Sequence, residues 1–309
     1  MESNRLIINF SNPKEMIIPG FEKIREKSKF YFYPPNNISG ESWYNIFEKK
    51  IDNQILKKEY FPIFRMSDGE FIFSLGRYFF QYKGLEKIYY LLNHFKRILY
   101  YKSTFYSSGR KGYCETYNFF KLKKLRKKFL ENLQDIAKNG ILCPNFSTHI
   151  LTEPYQKNFL NLLEKNKIYF NLSNYFAYYF INSYFMGSKL NLIFKNKRLL
   201  FFTSNMKERN ILLKKNLIRL GALEVDFYYT SLNNPMLDVV DFDKIKIDPD
   251  IVFVAAGVGS SNILVQIKKL DRLSVDCGFM VDALSDINFA KQRIYYCNDE
   301  NFEKETWFN

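Results

Sequence analysis

Continuous apolar runs alternate with helical segments between Arg198 and Gly278, and this alternation constrains the fold more than any other feature. Runs without polar interruption are typical of strands that are buried on both faces of a sheet. Strands that alternate with helices predict a parallel sheet with right-handed crossovers. We therefore expect an α/β protein with a Rossmann-like parallel sheet flanked by helices. The predicted strands are Leu199–Thr203, Val225–Tyr229, Ile251–Ala256 and Leu273–Cys277, and the predicted helices are Lys207–Leu220 and Ser260–Leu270.

Two carboxylates flank a glycine where an earlier apolar run, Tyr60–Met66, gives way to a helical segment. α/β folds bind ligands at the carboxyl ends of their strands. Carboxylate oxygens suit Mg²⁺ or Mn²⁺, and such ions usually bridge to substrate phosphates. Asp68 and Glu70 are therefore candidate metal ligands, and Gly69 permits a sharp turn or the close approach of a ligand. A structural interpretation fits equally: Asp68 caps the next helix and Glu70 lies favourably in its first turn.

A second turn, Ala256–Ser261, also connects a predicted strand to a predicted helix. The backbone amides at the start of that helix are able to bind a phosphate or a ribose. The stretch lacks the third glycine of a dinucleotide fingerprint and the lysine of a P-loop. A tight strand-to-helix turn explains its glycines without any ligand.

These motifs together resemble a known family. Residues Arg65 to Glu70, Arg-Met-Ser-Asp-Gly-Glu, are similar to the Arg-x-Gly-Asp-Gly-Glu signature of the bacterial glycosyltransferases with the GT-D fold, with Ser67 in place of the usual glycine. The turn Ala256–Ser261 resembles that family's late Gly-x-x-Ala/Ser turn. Val275–Gly278 resembles its closing Asp-x-Gly-His, with Phe279 where the histidine is expected.

The resemblance, which extends from about Tyr60 to about Leu284, implies a metal-dependent glycosyltransferase of the hexosyltransferase class. It implies Asp68 and Glu70 as catalytic residues that hold Mn²⁺ or Mg²⁺, and a nucleotide-sugar donor, with a UDP-sugar as the first candidate. The implied acceptor is a glycan, glycolipid or glycoprotein of bacterial surface polysaccharide or glycoconjugate synthesis. The residues implied to contact the donor are Arg65, Ser67, Gly69, Gly257, Gly259, Ser260, Ser261 and Asp276.

Two other functions fit part of the sequence. In a methyltransferase-like enzyme the Gly257 turn would hold the cofactor, and Asp276, at the end of the next strand, would accept the ribose hydroxyls; this leaves Asp68 and Glu70 without a role. The net charge of +14 implies attraction to an anionic partner, which includes nucleic acid, an acidic membrane or phosphorylated substrates. No nucleic-acid signature occurs and the basic residues are spread along the chain, so we expect no nucleic-acid partner.

We expect residues 1–40 to form an N-terminal extension and residues 41–309 a single catalytic domain with a helical insertion around 85–195. Within that insertion Lys121–Leu133 is a basic amphipathic helix. Its apolar stripe either joins the core or contacts anionic lipid. Lipid contact would suit an enzyme with a lipid-linked acceptor.

Several features indicate a cytoplasmic protein, either free in the cytoplasm or attached peripherally to the inner face of the cytoplasmic membrane. The four cysteines form no Cys-x-x-Cys pair, so we expect reduced thiols and no zinc site. No signal peptide is visible in Met1–Phe10. Ile168–Ser188 contains no charged residue but is interrupted by asparagine and serine, which predicts a buried helical core rather than a membrane span.

Overall fold

Six parallel strands form the central sheet in the computed structural model, which describes residues 5–15, 31–35, 38–75, 119–146, 153–187 and 189–292 and the isolated helical positions 88 and 92. The strand order across this sheet is β4-β3-β8-β7-β5-β6, and β1 and β2 form a separate antiparallel pair. In chain order the strands are β1 (Lys14–Glu15), β2 (Tyr31–Phe32), β3 (Phe61–Met66), β4 (Ile141–Pro144), β5 (Arg198–Ser204), β6 (Glu224–Thr230), β7 (Ile251–Ala255) and β8 (Leu273–Asp276).

Burial explains why these apolar runs are strands. Every residue of β3, β4 and β8 is buried, as are the five central residues of β5 and the first four of β7. Such strands need cover on both faces, and the alternating helices supply it. Phe201 of β5 lies directly opposite Phe253 of β7, with ring centroids 4.9 Å apart. The predicted α/β class and parallel sheet are confirmed.

Ten α-helices lie in the part of the chain that the structure describes. They are α1 (Gly40–Lys57), α2 (Asp68–Leu75), α3 (Phe119–Asn139), α4 (Glu153–Lys165), α5 (Tyr178–Met186), α6 (Leu190–Phe194), α7 (Lys207–Arg219), α8 (Ser260–Gln266), α9 (Met280–Ser285) and α10 (Ile287–Gln292). Gly221, which follows α7, has a left-handed backbone with φ of 93°, a conformation that glycine adopts without strain.

The basic helix α3 packs its apolar stripe into the core. Leu122, Leu125, Phe129 and Leu133 are all buried, so this stripe is not available to a lipid surface. Helix α3 also contacts β3, β4 and α8. Its lysines are exposed except for Lys128, which is half-buried and donates to the Met236 carbonyl at 3.4 Å, and any membrane contact through this helix would be electrostatic.

Two predicted helices differ from the observed ones. The segment after the glycine turn is helical only over α8 and continues as a 3₁₀ helix, Ile267–Leu270, which ends at the left-handed residue Asp271. In the charge-free segment, residues 174–187 are buried as predicted except for the half-buried Tyr178, whereas Tyr169 and Leu172 are exposed, and the helix is limited to α5. Before α5, Oδ1 of Asn171 accepts a hydrogen bond from the Asn174 amide, and Nδ2 of Asn174 donates to the Tyr169 carbonyl. These local bonds stabilise a turn in place of a helix.

No helix among the described residues combines the length and apolar character needed to cross a membrane. Residues 93–118 of the predicted insertion, and residues 1–4, 16–30 and 36–37 of the predicted N-terminal extension, lie outside the described residues. The proposed division into an extension and one catalytic domain stays a prediction.

Candidate functional site

The two predicted turns lie at the same edge of the sheet. Strands β3 and β7 are both hydrogen-bonded to β8, and all three run parallel, so their carboxyl ends lie side by side. The acidic turn follows β3, and the glycine turn follows β7. Helix α2 also contacts the 3₁₀ turn Gly257–Gly259 directly. The two turns therefore meet at the carboxyl edge of the sheet.

The acidic turn is built as a helix N-terminus. Helix α2 begins at Asp68, so Ser67 occupies the capping position, and Asp68 is the first helical residue rather than the cap. The Ser67 amide donates a hydrogen bond of 2.9 Å to Oε2 of Glu70, which is half of a capping box. Gly69 lies within the helix and its backbone is not left-handed, so the sharp turn we considered for it does not occur.

Burial dominates the electrostatics of Glu70. The residue is 9% exposed, and burial raises the pKa of its carboxyl from 4.5 to about 7. The hydrogen bond from Ser67 opposes that pKa shift, whereas the negative charges of Asp276 and Asp68 add to it. Two further carboxylates thus lie close enough to influence Glu70, and the cluster concentrates negative charge at the sheet edge.

The donor set of the acidic turn fits an ion that is held partly by its substrate. Mg²⁺ is usually bound through one or two carboxylates, water and substrate phosphates rather than by an all-protein cage. Asp68 and Glu70 supply two carboxylates. The pKa of Glu70 is raised chiefly by burial and further by the negative charges of Asp276 and Asp68, and a bound cation would favour its charged form. No group of three or more His, Cys, Asp or Glu side chains suited to a metal occurs in the described ranges.

Arg65 braces the site from inside. The side chain is 3% exposed; its Nε donates to the Asp276 backbone carbonyl at 2.8 Å, and its Nη1 donates to Oδ1 of Asn182 at 3.0 Å. The guanidinium also lies over the Tyr178 ring, 5.1 Å from the centroid. These contacts favour a role for Arg65 in bracing the site over the direct contact with the donor that the resemblance implies.

Asp276 is held by groups of the protein itself. Burial raises the pKa of its carboxyl, and Arg65, the Ser260 hydroxyl and the Gly278 amide oppose that pKa shift. Its Oδ2 accepts a hydrogen bond of 3.3 Å from the Arg65 amide. Gly278 has φ of 45°, and a Cβ there would lie 2.3 Å from Nη2 of Arg65. The glycine of the stretch that resembles Asp-x-Gly-His therefore lies in a tight contact with Arg65, where the neighbouring strands β8 and β3 end.

The glycine turn is fixed mainly by packing. Gly257 has φ of 54°, and a Cβ on Gly259 would lie 2.4 Å from the Pro235 ring. The Ser260 hydroxyl accepts a hydrogen bond of 3.1 Å from the Ala256 amide, so it stabilises the turn itself. The Ser261 hydroxyl likewise donates to the Val258 carbonyl at 2.9 Å. Both serine side chains are buried, so the backbone of the turn is the part suited to line a ligand.

Three polar residues of this edge were missed by sequence reasoning. Asn145 follows β4, and its amide nitrogen donates to the Ser67 hydroxyl at 3.2 Å. Asn182, on α5, holds Arg65. Arg209, on α7, donates to the Thr203 hydroxyl at the end of β5 and forms an ion pair with Asp282 at 3.1 Å. The one signal in the sequence concerned Asn182, a polar residue within the otherwise charge-free segment that contains α5.

Comparison with known proteins gives two structural likenesses. No protein-family profile matches the sequence, and no curated protein matches it. A selenomethionine-substituted structure of the domain of unknown function 1792 (DUF1792) has a TM-score of 0.42 and 12% sequence identity, covering 86% of this chain and 95% of that one. A second structure, described as "The highly conserved domain of unknown function 1792 has a distinct glycosyltransferase fold", has a TM-score of 0.38 and 12% identity, covering 84% and 94%. Likenesses at this level assign neither a family nor an activity to this chain.

The protein is thus an α/β protein whose parallel sheet gathers an acidic helix N-terminus, a braced arginine–aspartate pair and a glycine turn at its carboxyl edge.

Proposed function

We propose that this protein is a metal-dependent glycosyltransferase of the hexosyltransferase class that takes its sugar from a nucleotide-diphospho sugar, with a UDP-sugar as the first candidate. The observation that carries the proposal is the meeting of α2, which bears Asp68 and Glu70, with the Gly257–Gly259 turn at the carboxyl edge of the sheet. This is the edge where α/β proteins bind nucleotides. The sequence resemblance to glycosyltransferases with the GT-D fold rests on the same two turns.

The charges of this edge suit the departure of a diphosphate. A nucleoside diphosphate gains negative charge as the sugar leaves it, and a bound Mn²⁺ or Mg²⁺ would neutralise that charge. Asp68 and Glu70 would orient the ion at the start of α2. The backbone of the Gly257–Gly259 turn would line the nucleotide. Arg65 would keep Asp276 and the end of β8 in place, since its side chain is engaged there.

The protonation of Glu70 links this chemistry to pH. With a pKa of about 7, its carboxyl changes charge near neutrality. Binding a cation requires the charged carboxylate, so cation binding would release a proton and would strengthen as the pH rises.

The methyltransferase alternative has less support. It assigns Asp276 to ribose hydroxyls. The carboxylate of Asp276, however, already accepts hydrogen bonds from the Arg65 amide, the Ser260 hydroxyl and the Gly278 amide. It also gives no role to the acidic start of α2.

We propose a glycan, glycolipid or glycoprotein acceptor of surface polysaccharide or glycoconjugate synthesis, used at the inner face of the cytoplasmic membrane. A lipid-linked acceptor would bring the enzyme to anionic lipid, and the exposed lysines of α3 supply positive charge for such a contact. The buried apolar stripe of α3 makes this contact purely electrostatic.

The test compares wild type with Asp68→Asn and Glu70→Gln, and with Asp243→Asn as a matched control at an exposed carboxylate outside the site. Thermal shifts are measured with UDP-sugars, with Mn²⁺, and with both. A ligand at one hundred times its Kd stabilises the native state by about 2.7 kcal/mol. We expect this stabilisation for wild type and the control when both ligands are present, and its loss in the two site variants.

Donor hydrolysis provides a second readout when the acceptor is unknown. Removal of one electrostatic contact in a preorganised site typically lowers the rate by about 10²–10³. The proposal is rejected if wild type binds no nucleotide sugar with either metal, or if Asp68→Asn and Glu70→Gln bind and hydrolyse it as wild type does.

A further inference from the structure

The side-chain amide of Asn145 joins two elements of the site. Asn145 directly follows β4, the neighbour of β3 in the sheet, and its backbone amide donates to the Met66 carbonyl at 2.7 Å. Its Nδ2 lies 3.2 Å from the Ser67 hydroxyl and 3.4 Å from the Tyr179 hydroxyl. The residue is 4% exposed. Asn145 thus contacts Ser67, the residue that caps the helix carrying both carboxylates.

Only one end of this amide has a partner. Oδ1 of Asn145 is shielded from solvent and has no hydrogen-bond partner among the described residues. Buried amide groups are almost always paired, and an unpaired one carries a desolvation cost of about 1–3 kcal/mol. The hydroxyls of Ser67 and Tyr179 both donate and accept, so they are able to pair with either end of the amide. The other end of the amide then faces the position at which no donor of the described part of the protein lies.

A hydroxyl group is the ligand chemistry that fits either orientation of the amide. It donates to an amide oxygen and accepts from an amide nitrogen. A metal cation fits only the orientation that presents the oxygen. A carbohydrate offers several neutral hydroxyls, and each hydrogen bond to it is stronger in a buried site than in water.

We propose that Asn145 is a substrate-contacting residue whose unpaired amide end binds a hydroxyl of the donor sugar. The inference rests on the proposed function, because it takes the ligand at this edge to be a nucleotide-diphospho sugar. The donor sugar is chosen because Asn145 touches Ser67, next to the carboxylates proposed to hold the diphosphate through a cation. The sugar is the group attached to that diphosphate.

The test distinguishes the contribution of the sugar to donor affinity from the contribution of the nucleotide. Affinities for a UDP-hexose and for UDP, each with Mn²⁺, are measured by calorimetry for wild type, Asn145→Leu and Asn145→Ala. Leucine keeps the side-chain size without either amide end, and alanine serves where leucine does not fold. Tyr179→Phe is the matched control, since it removes an internal partner of the same amide and leaves the unpaired end intact.

We expect the Asn145 variants to bind the UDP-hexose roughly tenfold more weakly, which is the worth of one good hydrogen bond, and to bind UDP within about twofold of wild type. Tyr179→Phe should change the two affinities alike. Equal weakening of both ligands by the Asn145 variants overturns the inference, because Asn145 would then act only by orienting α2. Unchanged binding of both also overturns it, because the amide end would then have no partner in the complex with the donor.

The same measurements distinguish a failure of this inference from a failure of the proposed function. If wild type binds the UDP-hexose and Asp68→Asn abolishes that binding while the Asn145 variants bind normally, the inference alone is wrong. If wild type binds neither UDP nor the UDP-hexose, the proposed function is wrong and this inference fails with it.

Discussion

Replacing Glu70 by glutamine removes a carboxylate whose burial makes the protein less stable as the pH rises. The pKa of Glu70 is raised from 4.5 to about 7, chiefly by burial. A carboxyl whose folded-state pKa is raised binds its proton more tightly in the native state than in the unfolded state. Its contribution to stability is therefore complete below about pH 4.5 and is lost as the pH rises through about 7.

The size of this effect follows from the pKa difference. One pKa unit corresponds to about 1.4 kcal/mol, so the shift of Glu70 amounts to about 3 kcal/mol of stability lost between acid and mildly alkaline pH. Glutamine has no charge to desolvate, and its amide oxygen still accepts the hydrogen bond from the Ser67 amide. We therefore expect Glu70→Gln to be more stable than wild type at pH 8 and the two proteins to converge toward pH 5.

Urea denaturation at closely spaced pH values from 5 to 8.5, in buffers with a chelator, measures this difference. Carboxyls that do not interact with Glu70 contribute equally to both proteins and cancel in the difference. Glu224→Gln, at an exposed position that begins β6, is the matched control and should give a flat difference curve. Adding Mn²⁺ without chelator at pH 8 should stabilise wild type and not Glu70→Gln. A flat curve for Glu70→Gln would refute the buried, high-pKa carboxyl.

Other perturbations test the brace and the basic helix. Arg65→Lys should lower the unfolding free energy by about 1–3 kcal/mol, because lysine keeps the charge but cannot hold both Asp276 and Asn182; equal stability in urea would contradict the brace. Gly278→Ala should lower the melting temperature and, through displaced Arg65, donor binding, whereas unchanged values would mean that the contact relaxes freely. Charge reversal on α3 should abolish low-salt sedimentation with anionic vesicles without unfolding the protein; equal sedimentation would exclude this helix. The lysines to be replaced by glutamate are Lys123, Lys124, Lys127 and Lys128.

The sequence determined the elements of the sheet because each depends on local order. Continuous apolar runs such as Ile251–Ala255 are too short for a buried helix and match strands covered on both faces. The apolar stripe of α3 was also readable, because its residues recur at helical spacing, but that it packs into the core was decided by the tertiary structure. The acidic and glycine turns were found for the same reason, since a turn between strand and helix has a local signature.

Strand order was decided only by the tertiary structure. Placing β8 between β3 and β7 brings Asp276 against Arg65, 211 residues apart in sequence, and no local pattern encodes that pairing. The raised pKa of Glu70 has the same origin, since burial depends on what packs over the start of α2. Asn145 and Asn182 look like ordinary polar residues in sequence. They acquire their partners, Ser67 and Arg65, because hydrogen bonding between distant segments follows from how the sheet and α5 pack.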